Sequence, residues 1–351
     1  MRGPLLGLAL AALLLVPSTL AQGADGSGSG SFRVTKLEAY NLTVGAVGVA
    51  APRALEAGNR DAALENVTAA SALVNRTFRG DFERASPLPM PAVEALLARA
   101  RTAVAENRTM QLRETAAGLD GALAAGAFYA FESAALAGDV PTASEYLALL
   151  ADRFALTPDS PVATQWEAAV GNPQRYLELA ERAVGRSSAA TGLFDAFLGE
   201  AARALNLNGT LPLEAVAARY AALALLPEVE ARSGAATADA LARGLAAPDE
   251  RDGARAALLA FLGPRGYVLL HLDLATGFLE AGENASAREA WAIAYRTWRE
   301  NRDALGNESA LAPRFQAAQD TLTLEHVRAL RAALTAAAAQ DPKGGEHGDH
   351  A

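Results

Sequence analysis

An all-α fold is what this sequence predicts, and three observations predict it. Ala, Leu, Glu and Arg, the strong helix formers, dominate from Phe32 to Gln340. Apolar residues recur there at three- and four-residue steps, as in Val93, Leu96, Leu97, Ala100 and Val104, and in Tyr176, Leu177, Ala180 and Val184. Alternation of Val, Ile and Thr never lasts for the length of a strand. Gly and Pro supply the stops, at Pro87–Pro91, Thr157–Pro161, Gly171–Pro173, Gly185–Ser188, Pro248–Gly253 and Gly263–Gly266. The expectation is roughly ten to twelve helices arranged as antiparallel αα-hairpins, in a duplicated bundle or a helical array. One such hairpin is expected over residues 113–137 and 142–156.

The N-terminus reads as an address. Arg2 precedes an apolar run from Leu5 to Val16, and Thr19 and Ala21 put small residues before a cleavage point after Ala21. That is the layout of a secretory signal peptide, residues 1–21. The apolar run is too short to span a bilayer comfortably; the alternative to cleavage is retention as an anchor. Residues 22–31 form a Gly/Ser linker. A boundary near Arg186–Thr191 divides the body into helical halves at 32–186 and 187–340, and residues 341–351 form a disordered, His-containing tail. No later stretch approaches 18 charge-free apolar residues. The protein is therefore expected outside the cell or at its surface, with membrane contact only through an uncleaved signal.

Composition removes several function classes. Zero Cys excludes disulfides, thiolate metal sites and Cys nucleophiles. A net charge of −9 offers no basic surplus to neutralise phosphates, which argues against a nucleic-acid partner. Gly-x-Ser-x-Gly, P-loop, His-Glu-x-x-His and Glu-x-x-His patterns are all missing, so catalysis is not expected.

The sequons are the most specific statistical signal. The chain has 11 Asn, and seven sit in Asn-x-Ser/Thr: Asn41, Asn66, Asn75, Asn107, Asn208, Asn284 and Asn307. With 33 Ser plus Thr in 351 residues, chance supplies about one. Spread from residue 41 to 307, they predict that the whole mature chain crosses a membrane and is N-glycosylated. Dense sequons without cysteine, and two Lys against 29 Arg, suit an exported archaeal protein or a GC-rich prokaryotic genome.

A weak repeat runs through the body. Aligning Gly58, Gly138 and Gly282 also aligns Glu65, Glu145 and Glu289, and a looser copy contains Gly209 and Glu214. Each copy predicts a helix ending at a Gly C-cap, a short turn, and a new helix with an acidic first turn.

A few side chains can carry chemistry. Glu132 follows Phe128–Phe131 within an apolar helix and needs an Arg, a Tyr or a cation as partner. Asp273 and Glu280 share a helix face; His271 reads as a hydrogen-bonded core residue. Trp291, Tyr295 and Trp298 form one stripe, in the core or as a sugar- or ligand-binding platform. The candidate metal ligands are Glu132, Glu145, Glu280 and Glu289 on helix faces. The tail adds His347 and His350, with Glu346 and Asp349 beside them. The only cofactor these residues suggest is a loosely bound metal ion, and the partner they suggest is an envelope protein or a glycan.

The helix bearing Phe128–Glu132 with its hairpin Ala135–Leu147, and the stretch Ala290–Asp303, resemble the extracytosolic helical region that precedes the membrane part of prokaryotic iron-permease proteins, and the related imelysin-like helical bundles. The resemblance spans 33–340 and implies an envelope accessory protein that helps handle iron. The Arg-Glu-x-x-Glu and Gly-x-His-x-x-Glu signatures of those families are absent, so no functional residue carries across. Three functions follow as expectations, in order: an exported, glycosylated binding or scaffold module; an accessory module for metal at the envelope; and, last, an enzyme with a site assembled from dispersed carboxylates and Tyr.

Overall fold

A helix segment that is apolar on every side must be surrounded, and the stretch from Gly121 to Phe131 is buried without interruption. It belongs to the central helix of a computed structural model that describes residues 34–154, 193–206, 213–246, 251–280, 282–305 and 308–340. Among the described residues there is no strand, and the chain forms fourteen continuous helical runs. That exceeds the ten to twelve expected, because short segments such as 79–85 and 302–305 are helical too.

In the first part, α1 (Lys36–Gly45) passes through a π turn at Ala46–Ala50 into α2 (Ala51–Glu56). Then follow α3 (Arg60–Thr77), α4 (Arg79–Ala85), α5 (Pro89–Ala105), the central α6 (Thr109–Leu136) and α7 (Val140–Arg153). The second part has α8 (Leu193–Asn206), and α9 (Leu213–Ala221) running through a 3₁₀ turn at Ala222–Leu225 into α10 (Leu226–Ser233). It continues with α11 (Ala235–Ala246), α12 (Arg251–Glu280), α13 (Asn284–Glu300), α14 (Arg302–Leu305), α15 (Glu308–Asp320) and α16 (Leu324–Gln340). Helices α6 and α7 stand where the hairpin over 113–137 and 142–156 was expected.

The described residues from Thr35 onward form one compact unit, in which α6 lies along α9 and so links the two sequence halves. Helices α1, α4, α5 and α7 complete its shell. Glycine makes the close approach possible: a Cβ at Gly121 would overlap the carbonyl of Ala217 on α9, and one at Gly126 would overlap the ring of Phe82. In the second part α12 is the hub, packed by α8, α11, α13 and α16. It bends at Gly263 (φ 69°, ψ 167°) just before Pro264, where a stop was expected. By length and composition α12 alone among the described helices is apolar enough to cross a membrane.

Proline also explains both irregular turns. Pro52 and Pro227 cannot bond the carbonyls four residues back, Gly48 and Leu223, and the chain rewinds there as π and 3₁₀ turns. The Leu223 carbonyl accepts from the Leu226 N–H and from the Tyr129 hydroxyl of α6, the latter at 2.5 Å.

The glycine register of the repeat is real geometry. Gly58, Gly138 and Gly282 have φ of 75°, 72° and 77°. Each turn carries the same two bonds: Gly58 N–H to Leu55 O and Asn59 N–H to Ala54 O, and their counterparts at Gly138–Asp139 and Gly282–Glu283. The acidic first turn follows only in α3, through Asp61; α7 and α13 lack it. The same pair of bonds recurs at Asn107 (φ 55°), a turn without glycine that the alignment missed. Residues 1–33, 186–187, 209 and 341–351 lie outside the described residues, and with them the signal, linker, half boundary, fourth repeat copy and tail.

Candidate functional site

The proposed ligands are dispersed by the fold. Glu132 sits on α6, Glu145 half-buried on α7, Glu280 on α12 and Glu289 exposed on α13. Among the described residues no group of three or more His, Asp or Glu gathers to hold a metal. Two carboxylates of α12 are taken by arginines of α16: Arg328 donates to Glu280 at 2.6 Å, and Arg331 grips both oxygens of Asp273. His347 and His350 lie outside the described residues.

Glu132 remains distinctive. Burial holds its carboxyl well above the usual range, and the nearby Glu228 of α10 adds to the effect. Of the partners expected for Glu132, no Arg among the described residues offsets this shift, and Arg232 faces Glu228 at 3.7 Å. The adjoining Tyr129 is pushed above its ordinary range by burial and then by Glu132.

His271 is fully buried, and its Nδ1–H donates to Tyr267 O at 2.9 Å, as expected of a core histidine. Burial, reinforced by the Arg255 charge, pushes its pKa down to about 4 against that hydrogen bond. The aromatic stripe is core: Trp291 and Trp298 are buried, Trp298 stacks on Phe315 at 4.1 Å, and Trp291 Nε1–H donates to Gln319.

Two charged clusters escaped sequence reasoning. In one, Arg153 at the end of α7 bridges Asp120 of α6 (2.8 Å) and Glu200 of α8 (3.5 Å), while the Tyr40 hydroxyl of α1 donates to Asp120. Burial raises the Glu200 carboxyl although Arg153 and Arg203 pull it down, and its Oε2 is buried without a hydrogen-bond partner. In the other, Lys36 Nζ reaches Asp81 and the Thr77 carbonyl, each at 2.6 Å, and the Tyr146 hydroxyl donates to Asp81 at 2.7 Å. Burial works against the Asp81 charge, yet Lys36 and Tyr146 hold its carboxyl below the usual range. Each had one sequence signal: an Asp among glycines and alanines at Asp120, and one of only two Lys at Lys36.

The sequons are the other candidate sites. Asn41, Asn75, Asn107 and Asn284 are exposed; Asn66 is half-buried, its Nδ2–H donating to Ala62 O at 2.8 Å. Asn208 and Asn307 lie outside the described residues. Comparison with protein-family models, with curated proteins and with solved structures finds no match to this chain.

Proposed function

We propose that this is an exported, N-glycosylated cell-surface protein that acts as a binding or scaffold module for an envelope protein or glycan. The observation that carries the reading is the sequon excess, seven of 11 Asn against about one by chance, behind a signal-peptide layout. The exposure of Asn41, Asn75, Asn107 and Asn284 supports it, since a folded chain can carry sugar there. Charge use favours scaffolding: Asp120, Asp273 and Glu280 each tie one helix to another through an Arg. The test is the intact mass of the protein recovered from its own host, beside seven Asn→Gln variants. The expected mass lacks residues 1–21, carries glycan steps, and loses one step per substituted site. A bare mass with residues 1–21 retained overturns the reading.

A second reading, metal handling at the envelope, is favoured by half-buried Glu132, whose charge is opposed by the nearby carboxylate of Glu228. Native mass spectrometry before and after chelation tests it. An iron or other metal adduct lost with chelator and lost in Glu132→Gln supports this reading; an unchanged mass removes it.

A further inference from the structure

We propose that the sequons differ in when they can be modified: Asn41, Asn66 and Asn75 accept oligosaccharide only before the helices form, whereas Asn107 and Asn284 remain acceptors in the folded protein. This rests on the glycosylation reading above and adds an order of events to it. In the transfer, asparagine Nδ2 bonds to the anomeric carbon of a lipid-phosphate-linked oligosaccharide. The carbon–oxygen bond to phosphate breaks, the lipid phosphate leaves, and the amide proton passes to a base of the transferase. The enzyme must meet the Asn amide and the hydroxyl two residues later on one side of the chain. On an α-helix residues i and i+2 point about 200° apart and do not face each other.

Three sequons are fixed in that register. In α1, Thr43 is fully buried and its hydroxyl donates to Ala39 O at 2.7 Å, turned away from exposed Asn41. In α3, Thr68 donates to Leu64 O and Asn66 donates to Ala62 O, both at 2.8 Å. At the end of α3, the Asn75 Oδ1 accepts from Arg79 Nε and Nη2, and the Thr77 carbonyl accepts from Lys36 at 2.6 Å. That last bond pins the turn between α3 and α4, so fraying there is opposed. Opening any of the three means unfolding packed helix.

Asn107 differs. It sits in the left-handed region (φ 55°), Arg108 follows with φ −104° and ψ 84°, and Thr109 opens α6, so amide and hydroxyl lie outside helical register. Asn284 is the first residue of α13, whose N-cap, Glu283, makes no side-chain capping bond. Only that first turn need fray to present Asn284 and Ser286, which costs little.

Cell-free synthesis of the full chain tests the order. A detergent-solubilised membrane extract containing the transferase and its lipid-linked donor is added either during synthesis or after folding, and glycopeptide mass spectrometry reads each site. On late addition, occupancy at Asn41, Asn66 and Asn75 is expected to fall about tenfold or more, and at Asn107 and Asn284 to stay within about twofold. Equal occupancy at Asn41, Asn66 and Asn75 in both arms overturns the proposal, as does an equal fall at Asn107 and Asn284; either leaves the glycosylation reading intact. Sugar at no site in either arm overturns both.

Discussion

Two long apolar helices organise this molecule, and they solve the same problem differently. The 28 residues of α6 run unbroken, and its neighbours come close enough that Gly121 and Gly126 admit no Cβ. Its mid-helix polar groups meet partners within the packing, half-buried Asp120 in the Arg153 cluster, half-buried Glu132 near Glu228 and buried Tyr129 on the Leu223 carbonyl, while Arg113 and Glu114 at its start pair with Glu56 and Arg99 at the surface. The 30 residues of α12 bend at Gly263–Pro264, and Gly277 has open space around it. Two carboxylates of α12, Asp273 and Glu280, pair with half-exposed arginines of α16. The difference teaches where charge matters energetically. A buried ion that loses its partner cannot recover water, whereas an exposed one can.

The largest effect expected from that contrast comes from removing one arginine in each region. Arg153→Met leaves buried Glu200 and half-buried Asp120 without their bridging cation and is expected to cost about 3 kcal/mol. Arg331→Met breaks an ion pair whose partners are both about half exposed, and the expected cost is about 0–1 kcal/mol. Urea unfolding of the two variants checks this; equal losses would remove the distinction between the regions.

Glycine gives the next contrast. Gly121→Ala drives a methyl into the Ala217 backbone and is expected to cost about 3 kcal/mol, since neither α6 nor α9 can move without disturbing the shell. Gly277→Ala meets nothing and is expected to stabilise by about 0.5–1 kcal/mol through helix propensity. Thermal melts of both variants read opposite signs.

Acid acts on the two helices in opposite directions. His271 of α12 is neutral in the fold, with its pKa down at about 4 against an ordinary 6.5. Above 6.5 neither state binds the proton. As pH falls from 6.5 toward 4 the unfolded chain takes it up and the fold does not, so about 3 kcal/mol is lost across that window. Glu132 of α6 is displaced upward by burial and by Glu228, so the fold favours its neutral form more than the unfolded chain does. Its contribution is fully present below the ordinary carboxylate pKa and is lost as pH rises above it. Stability titrations of His271→Leu and Glu132→Gln should flatten opposite limbs of the pH profile.

How much of this was legible follows the same division. Periodicity and helix formers place α5, α6, α7 and α13, because helix–helix burial repeats every three or four residues whatever the partner. Glycine placed three of the turns, since positive φ is cheap only there. The Arg153 and Lys36 clusters were not legible, because Asp120 and Glu200 lie 80 residues apart and meet only through tertiary packing. The acidic faces misled for the converse reason. Glu280 looks free along its own helix, and Arg328, 48 residues on, closes it.

The smallest expected effect concerns the turn that broke the glycine pattern. Asn107 holds φ 55° where Gly58, Gly138 and Gly282 hold 72–77°, and all four turns make the same two backbone bonds. A non-glycine residue pays a steric cost in the left-handed region, and asparagine pays least among them because its short polar side chain can bond locally. Asn107→Gly is therefore expected to gain a few tenths of a kcal/mol, and Gly138→Ala to lose about 1. Glycine would be the more stable choice at 107, yet it would erase a sequon whose amide is exposed and outside helical register. A double substitution sharpens the point: Asn107→Gly with Gly58→Asn keeps one asparagine among the four turns and moves it to a site followed by Asn-Arg, which is not a sequon. Stability of that variant should stay within a few tenths of a kcal/mol of the parent, since the two exchanges offset. Sugar at residue 107 should disappear without any appearing at 58. If the double variant unfolds far more readily than the parent, the four turns are not equivalent, and asparagine at 107 serves packing rather than modification.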